Sequence, residues 1–280
     1  MELENCTVCP RKCGADRVNG TGFCGGGRDV KLARAALHFW EEPCISGKNG
    51  SGAVFFSGCP LKCCFCQNYE ISSGNFGMEI SVERLSGIFL KLQDQNACNI
   101  NLVSPTHYAP FITEALDLVR GRLKIPVIWN SSGYECAEKL EGYADIYLPD
   151  IKYLDSSLSA RYSSAPDYFD VASKAVLEMH RQAGTLEFDE NGMLRRGLIV
   201  RHLIMPGGRR DSIKIIEWLA ENLPKDGFLL SLMSQYAPCY RSGEYPEINR
   251  RITTLEYKSV LDRAAELGLH GYMQDRSSAD

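Results

Sequence analysis

Ser57-Gly58-Cys59-Pro60-Leu61-Lys62-Cys63-Cys64-Phe65-Cys66-Gln67-Asn68 is the stretch on which the rest of the chain depends. It places Cys59, Cys63 and Cys66 in a C-x3-C-x2-C array, directly after the apolar run Ala53 to Phe56. On a loop leaving a strand, this spacing lets three thiolates converge on one centre while the backbone curls around it. Three thiolates on a four-iron cube leave one iron open. An open coordination position is what separates a catalytic metal site from a closed structural one. A zinc knuckle or a group of buried thiols is the alternative. Cys64 would break the three-residue gap if it replaced Cys63, so it is expected to pack as a non-ligand.

With aromatic Phe65 immediately before the last cysteine, the array resembles that of the radical S-adenosylmethionine (radical SAM) enzymes. The resemblance implies a 4Fe-4S cluster on Cys59, Cys63 and Cys66, with S-adenosylmethionine chelating the open iron. It also implies reductive cleavage of S-adenosylmethionine to a 5'-deoxyadenosyl radical, which takes a hydrogen atom from a substrate.

A chain of 280 residues, 44% hydrophobic and 24% charged, has the composition of an ordinary globular protein with one large core. A net charge of -4 leaves no electrostatic footprint for nucleic acid. The first residues lack the basic and apolar regions of a signal peptide, and no apolar run reaches the roughly twenty residues that span a bilayer. A cytoplasmic protein without membrane contact is therefore expected. Twelve cysteines in that compartment point to metal binding, not to a disulfide framework. Cys44, Cys64, Cys98, Cys136 and Cys239 are scattered and read as small buried hydrophobes.

The N-terminal part carries Cys6, Cys9, Cys13 and Cys24 in a C-x2-C-x3-C-x10-C pattern with glycines around the last. Four such thiolates can close a second metal site, either zinc or an auxiliary iron-sulfur cluster. Metal binding would supply much of the folding energy of so polar a segment. His38 reads as a hydrogen-bonded packing residue beside Glu41 and Glu42. The glycines of residues 47–52 lack the Lys-Ser/Thr of a phosphate loop.

From residue 53 onward, short apolar runs alternate with amphipathic stretches, the signal of parallel strands joined by crossover helices. Strands are expected at 53–57, 100–104, 126–130, 146–150, 198–205 and 228–233. Helices are expected near 82–95, 110–122, 135–141, 167–183, 211–222 and 254–267. The fold class is α/β: a partial (β/α)6 TIM-like barrel of radical SAM type with a small N-terminal Cys-rich metal-binding segment, or alternatively a doubly wound open sheet. The expected division is a Cys-rich extension over 1–50, the partial barrel over 51–273 and a polar tail over 274–280.

Polar residues gather where the strands should end, at Ser104 to Tyr108, Asn130 to Gly133, Asp150 to Lys152, Arg201-His202 and Ser234 to Tyr236. In parallel strand-helix proteins the chemistry collects at those ends. Cys9 to Cys13, His38 to Gly52 and Val103 to Pro110 look like iron-sulfur proteins related to pyruvate formate-lyase activating enzyme. Ser104-Pro105-Thr106-His107 stands where such activases usually carry Gly-Gly-Glu. By position, Ser104 and Thr106 would accept from the S-adenosylmethionine ammonium, and Lys152 or Arg201 would hold its carboxylate. Asn130 and Ser132 fall to the ribose and Phe65 to the adenine. His107, His202, Gln235 and Tyr236 remain to face substrate. The family implies an electron donor such as flavodoxin or ferredoxin, and a small-molecule, peptide or protein substrate, glycyl radical enzyme activation included. A non-catalytic metal-binding interaction module is the other reading. A zinc protein binding RNA is disfavoured by the acidic balance.

Overall fold

A computed structural model describes residues 3–273, so the tail expected over 274–280 lies outside the described residues. The strands are β1 (Val30–His38), β2 (Ser51–Phe56), β3 (Met78–Ile80), β4 (Ile100–Val103) and β5 (Val127–Ser131). They continue with β6 (Ile146–Pro149), β7 (Glu187–Phe188), β8 (Leu194–Leu203), β9 (Leu229–Met233) and β10 (Gly271–Met273). The helices are α1 (Pro43–Ser46), α2 (Tyr69–Ser72), α3 (Val82–Asp94) and α4 (Ala109–Val119), then α5 (Ser156–Ser163), α6 (Tyr168–Ala183), α7 (Arg209–Asn222) and α8 (Thr254–Glu266).

Local chemistry sets the helix boundaries. Ser81 caps α3 by accepting the Arg84 N–H, and Thr253 with Glu256 forms a reciprocal capping box at α8. Leu85, Phe89 and Leu92 recur at helical spacing on the buried side of α3. Each contributes about 1.5–3 kcal/mol by leaving water. The stretch expected as a helix near 135–141 forms only a short 3-10 turn, Ala137–Leu140.

The strands join in one open sheet in the order β10-β9-β8-β6-β5-β4-β2-β1-β3, with β7 paired to β8. From β2 to β10 every neighbour on this path is parallel. The order advances in one direction without the reversal that defines a doubly wound sheet. With right-handed crossovers, all connecting helices then fall on one face. The arrangement is a singly wound, unclosed parallel sheet, extended by two antiparallel strands, β1 against β2 and β3 against β1.

Alternate residues separate the two faces. Val127, Trp129, Tyr147, Leu198 and Val200 belong to the large core shared with the helices. Ile128, Ile146, Leu148 and Ile199 belong to a second, smaller core together with Cys44 and Ile45 of α1. The inner face is therefore apolar and plugged by α1 towards the amino ends of the strands. Towards the carboxyl ends it turns polar, where Val103 pairs with Asn130 and Asp150 bridges to Arg201.

Two features depart from the sequence expectation. Residues 30–38, read as a short extended segment within an N-terminal extension, form a nine-residue strand of the sheet itself. Alanine-rich Val30–His38 carries little of the β-branched signal that marks a strand. A seventh parallel strand, β10, follows α8.

Candidate active site at the strand ends

The cysteine loop leaves β2 through Gly58, whose φ of +87 lies in the left-handed region, and turns again at Lys62. The Cys66 N–H bonds back to the Cys63 carbonyl at 3.2 Å. Cys59, Cys63 and Cys66 thereby open onto a single cleft of about 250 Å³. Each sulfur meets a donor: the Leu61 N–H reaches Cys59 at 3.4 Å, the Ser163 hydroxyl Cys63 at 3.0 Å, and the Ser72 hydroxyl Cys66 at 3.2 Å. Donors of this kind favour thiolate over thiol and tune a bound cluster. Burial pushes the Cys63 thiol up to about 12, against the opposing pull of Lys152. A metal would resolve that conflict, since its ligands bind deprotonated. Three gathered, donor-supported sulfurs beside open space fit an iron-sulfur cluster with a free position.

Cys64 is buried away from the cleft, its N–H donated to the Tyr162 carbonyl and its own carbonyl accepting from Arg241. Cys64→Ser is accordingly expected to retain the iron and sulfide content of the reconstituted wild type. Elemental analysis checks this, and loss of the cluster would make Cys64 a ligand.

The same cleft is lined by Phe65 of the cysteine loop and by Ser104, Asn130, Ser132, Lys152, Arg201 and Gln235. Phe65 is held edge-on to Tyr153 and tilted against Tyr236. Ser104 adopts a φ of +57, uncommon for a residue with a side chain, and its N–H bonds the Asn130 carbonyl at 2.9 Å. Asp150 joins the two cations, accepting from Lys152 Nζ at 2.6 Å and Arg201 Nε at 2.9 Å. Arg201 also reaches Asn130 Oδ1 at 2.6 Å and Glu41 Oε2 at 3.4 Å. Burial pushes the Glu41 carboxyl up, with Arg201 pulling the other way. Lys152 spends one of its three N–H donors on Asp150, so it keeps donors for a ligand carboxylate.

Other sequence expectations fall elsewhere. Thr106, expected beside Ser104, does not line the cleft. It lies in the 3-10 turn Thr106–Tyr108, buried, and donates its hydroxyl to Glu135 Oε2 at 2.7 Å. His107 is fully buried with Nε2 2.8 Å from the Ser57 carbonyl. His202 is clamped between the Ile151 carbonyl at 2.6 Å and the Ser212 hydroxyl at 2.8 Å. Burial lowers both histidines to about 4, so they are neutral structural groups. The Tyr236 hydroxyl is committed to the Ile248 carbonyl at 2.7 Å.

Sequence reasoning missed three supporting groups. In the sequence, Asp150 reads only as part of a strand end, and Glu41 only as a neighbour of His38. The need of two buried cations for a carboxylate was the available signal. Tyr168 is the third. Its hydroxyl accepts the Lys152 N–H at 2.9 Å and lies 2.8 and 2.9 Å from the carbonyl oxygens of Ser132 and Asp150. Nothing local to Tyr168 announces that role.

The N-terminal cysteine segment docks on the same loop through Cys24 and Arg11. The Cys59 N–H bonds the Cys24 carbonyl at 3.0 Å, and Arg11 donates twice to the Pro60 carbonyl at 2.8 and 3.1 Å. Cys6, Cys9 and Cys24 are buried and Cys13 is exposed. Among the described residues, no three His, Cys, Asp or Glu side chains are already drawn in to the spacing of a single-ion site.

Residues 45–167 match the model of a family described as a 4Fe-4S single cluster domain, a span that contains Cys59, Cys63 and Cys66 but not the N-terminal four. The chain is 32% identical, over 95% of its length, to the uncharacterized protein MJ0674 of Methanocaldococcus jannaschii, of which it covers 76%. It belongs to that protein's family. The fold is similar to that of Streptococcus suis SuiB. The structure of SuiB bound to its precursor peptide SuiA gives a TM-score of 0.52 at 14% identity over 78% of this chain. The structure of SuiB bound to S-adenosylmethionine gives 0.50 at 14% identity over the same share. The chain spans about half the length of SuiB, 46% and 48% in the two comparisons. Among the described residues, no helix is long and apolar enough to cross a membrane.

Proposed function

We propose that this chain is a radical SAM enzyme whose 4Fe-4S cluster is held by Cys59, Cys63 and Cys66. The observation that carries this is the shared cleft: three donor-supported cysteines line one space at the strand ends together with Ser104, Asn130, Ser132, Lys152 and Arg201. The matched 4Fe-4S domain and the likeness to a fold seen with S-adenosylmethionine bound support it. When bound, the cluster would supply the electron that cleaves S-adenosylmethionine reductively, and with it hydrogen-atom abstraction from substrate.

The chain's own residues do the positioning. Lys152, with Arg201 behind it, grips the carboxylate, and the Ser104 hydroxyl accepts from the ammonium. Asn130 has its carbonyl oxygen taken by Arg201, so its amide N–H group and the Ser132 hydroxyl are what it and its neighbour offer a ribose. Phe65 closes the apolar side over the adenine. Gln235, on the same cleft, is the group left to meet substrate. A peptide or protein segment is one candidate, in keeping with SuiB's precursor peptide. A small molecule is the other, and activation of a glycyl radical enzyme, as in relatives of pyruvate formate-lyase activating enzyme, is a special case of the first. Flavodoxin or ferredoxin in the cytoplasm would supply the electron, and Cys6, Cys9, Cys13 and Cys24 would form a second metal site.

The test is anaerobic reconstitution with iron and sulfide, reduction with dithionite in the presence of S-adenosylmethionine, and chromatography for 5'-deoxyadenosine. Wild type is expected to form the nucleoside, and Cys63→Ala to form none while losing the cluster's visible absorption. No nucleoside from a verified, reduced wild-type cluster would overturn the proposal.

A further inference from the structure

Arg17 is fully buried, and among the described residues no carboxylate pairs with it. Its Nε donates to the Gly27 carbonyl at 3.1 Å and its Nη1 to the His107 carbonyl at 2.8 Å, while Nη2 has no partner. The guanidinium lies over the Tyr108 ring, 5.3 Å from its centroid. Carbonyl dipoles and a ring face stabilise a cation but do not cancel its charge, and an uncompensated buried guanidinium is strongly destabilising. Among the described residues, the groups beside it that can become anions are cysteine thiols. Arg17 Nη1 stands 3.8 Å from Cys6 Sγ. A Cβ on Gly26 would lie 2.9 Å from Nη2 and 3.3 Å from Cys24 Sγ, so the free nitrogen and that sulfur flank the same point. A Cβ on Gly22 would lie 3.5 Å from Cys24 Sγ and 3.6 Å from Cys13 Sγ.

We infer that Cys6, Cys9, Cys13 and Cys24 hold a thiophilic metal centre as four thiolates, and that Arg17 is its resident counter-ion. This rests on the reading of those cysteines as a second metal site. Four thiolates around a doubly positive core leave a charge of minus two, whether the core is one zinc ion or a four-iron cluster. One buried guanidinium offsets half of it, and the N–H groups that meet the sulfurs, such as Gly26 to Cys24 at 3.3 Å, disperse the rest. With four protein ligands the site has no open position, which makes it a structural or electron-relaying centre. Its contact with the catalytic loop is direct, because the backbone of Cys24 accepts the N–H of Cys59.

The experiment compares anaerobically purified full-length variants by elemental analysis, inorganic sulfide and resistance to a chromophoric chelator. Cys63→Ala removes the catalytic cluster and is expected to leave either one zinc or a second complement of iron and sulfide. The two contents tell the two metals apart, and adding Cys24→Ser should abolish either. Arg17→Met in the Cys63→Ala background should weaken retention of that metal by at least about tenfold, the usual scale for a group supporting metal ligands, and Arg17→Lys should restore most of it. A thermal cycle guards against a folding artefact. Arg17→Met should lower the midpoint of the metal-loaded chain but raise that of Cys24→Ser, where the guanidinium has lost its anion. Unchanged retention in Arg17→Met, or additive effects in the cycle, would overturn the counter-ion. Cys63→Ala without residual metal would overturn the second site with it, while 5'-deoxyadenosine formation by wild type reports on the catalytic centre separately.

Discussion

Asp150→Asn is expected to lower the stability of the chain by about 3–5 kcal/mol, the cost of stranding buried charge. It should also impair S-adenosylmethionine binding. One carboxylate, 14% exposed, serves both Lys152 and Arg201, each 16% exposed. The amide keeps the shape and one acceptor but loses the charge and turns an N–H group towards one of the cations. Burial opposes ionisation of Asp150, yet Arg201 and then Lys152 outweigh it and hold the carboxyl below its usual range. A carboxyl depressed in the folded state contributes stability that is fully present above its unfolded value, near pH 4, and is lost as pH falls through the folded value. The difference between wild type and Asp150→Asn should therefore be constant above about pH 5 and shrink only in stronger acid. Chemical denaturation of the anaerobic protein across pH 3–8 measures it. A difference that vanished at neutral pH would mean the two cations find another anion. Glu41 and Glu42 are the carboxylates in place near Arg201, but the Glu41 contact is longer, at 3.4 Å, and burial pushes the Glu41 carboxyl towards neutrality.

This cluster of charges shows where a single sequence stops being legible. The six expected parallel strands and most of the large helices could be read because each is a local pattern: an apolar run, a 3.6-residue stripe, a capping residue such as Ser81 or Thr253. The cysteine spacing is local too. The pairings that make the strand ends into a wall are not. Arg201 meets residues 51, 71 and 160 positions away. Polarity at a strand end marks a candidate but not the direction in which it points. Ser104 and Thr106 are two residues apart and were expected to act together. The left-handed turn at Ser104 and the 3-10 turn after it send Thr106 to Glu135 instead. Helix α5, Ser156–Ser163, escaped notice because serine-rich Ser156-Ser157-Leu158-Ser159 competes for its own backbone and has little helical propensity. It nevertheless supplies Ser163, the donor to Cys63. Arg17 is the clearest case, since an isolated arginine in a polar segment reads as solvated until its burial is seen.

Gly58→Ala is expected to be strongly damaging for the addition of a single methyl group. Gly58 precedes the first cysteine of the Cys59–Cys66 loop with a φ of +87, where a side chain costs about 1–2 kcal/mol by itself. A Cβ there would lie 2.3 Å from the Cys24 carbonyl oxygen and 3.1 Å from His107 Nε2. Neither neighbour yields cheaply. His107 is fixed by the Ser57 carbonyl, and the Cys24 carbonyl is the acceptor that docks the Cys59 N–H. The added methyl must therefore push the N-terminal cysteine segment off the Cys59–Cys66 loop or turn Cys59 away from Cys63 and Cys66. Destabilisation of about 3 kcal/mol or more is expected from a left-handed position closed by backbone, together with loss of cluster iron from the purified protein. Gly87→Ala is the control, in the exposed middle of α3 with nothing within 4 Å of its Cβ. There the same methyl should stabilise by about 0.5–1 kcal/mol through helix propensity. Denaturation midpoints and iron content of the two variants, side by side, decide it. A Gly58→Ala protein with full iron and an unchanged midpoint would mean that the loop and the N-terminal cysteines are not docked as described, and that the backbone link between the two sets of thiolates is absent.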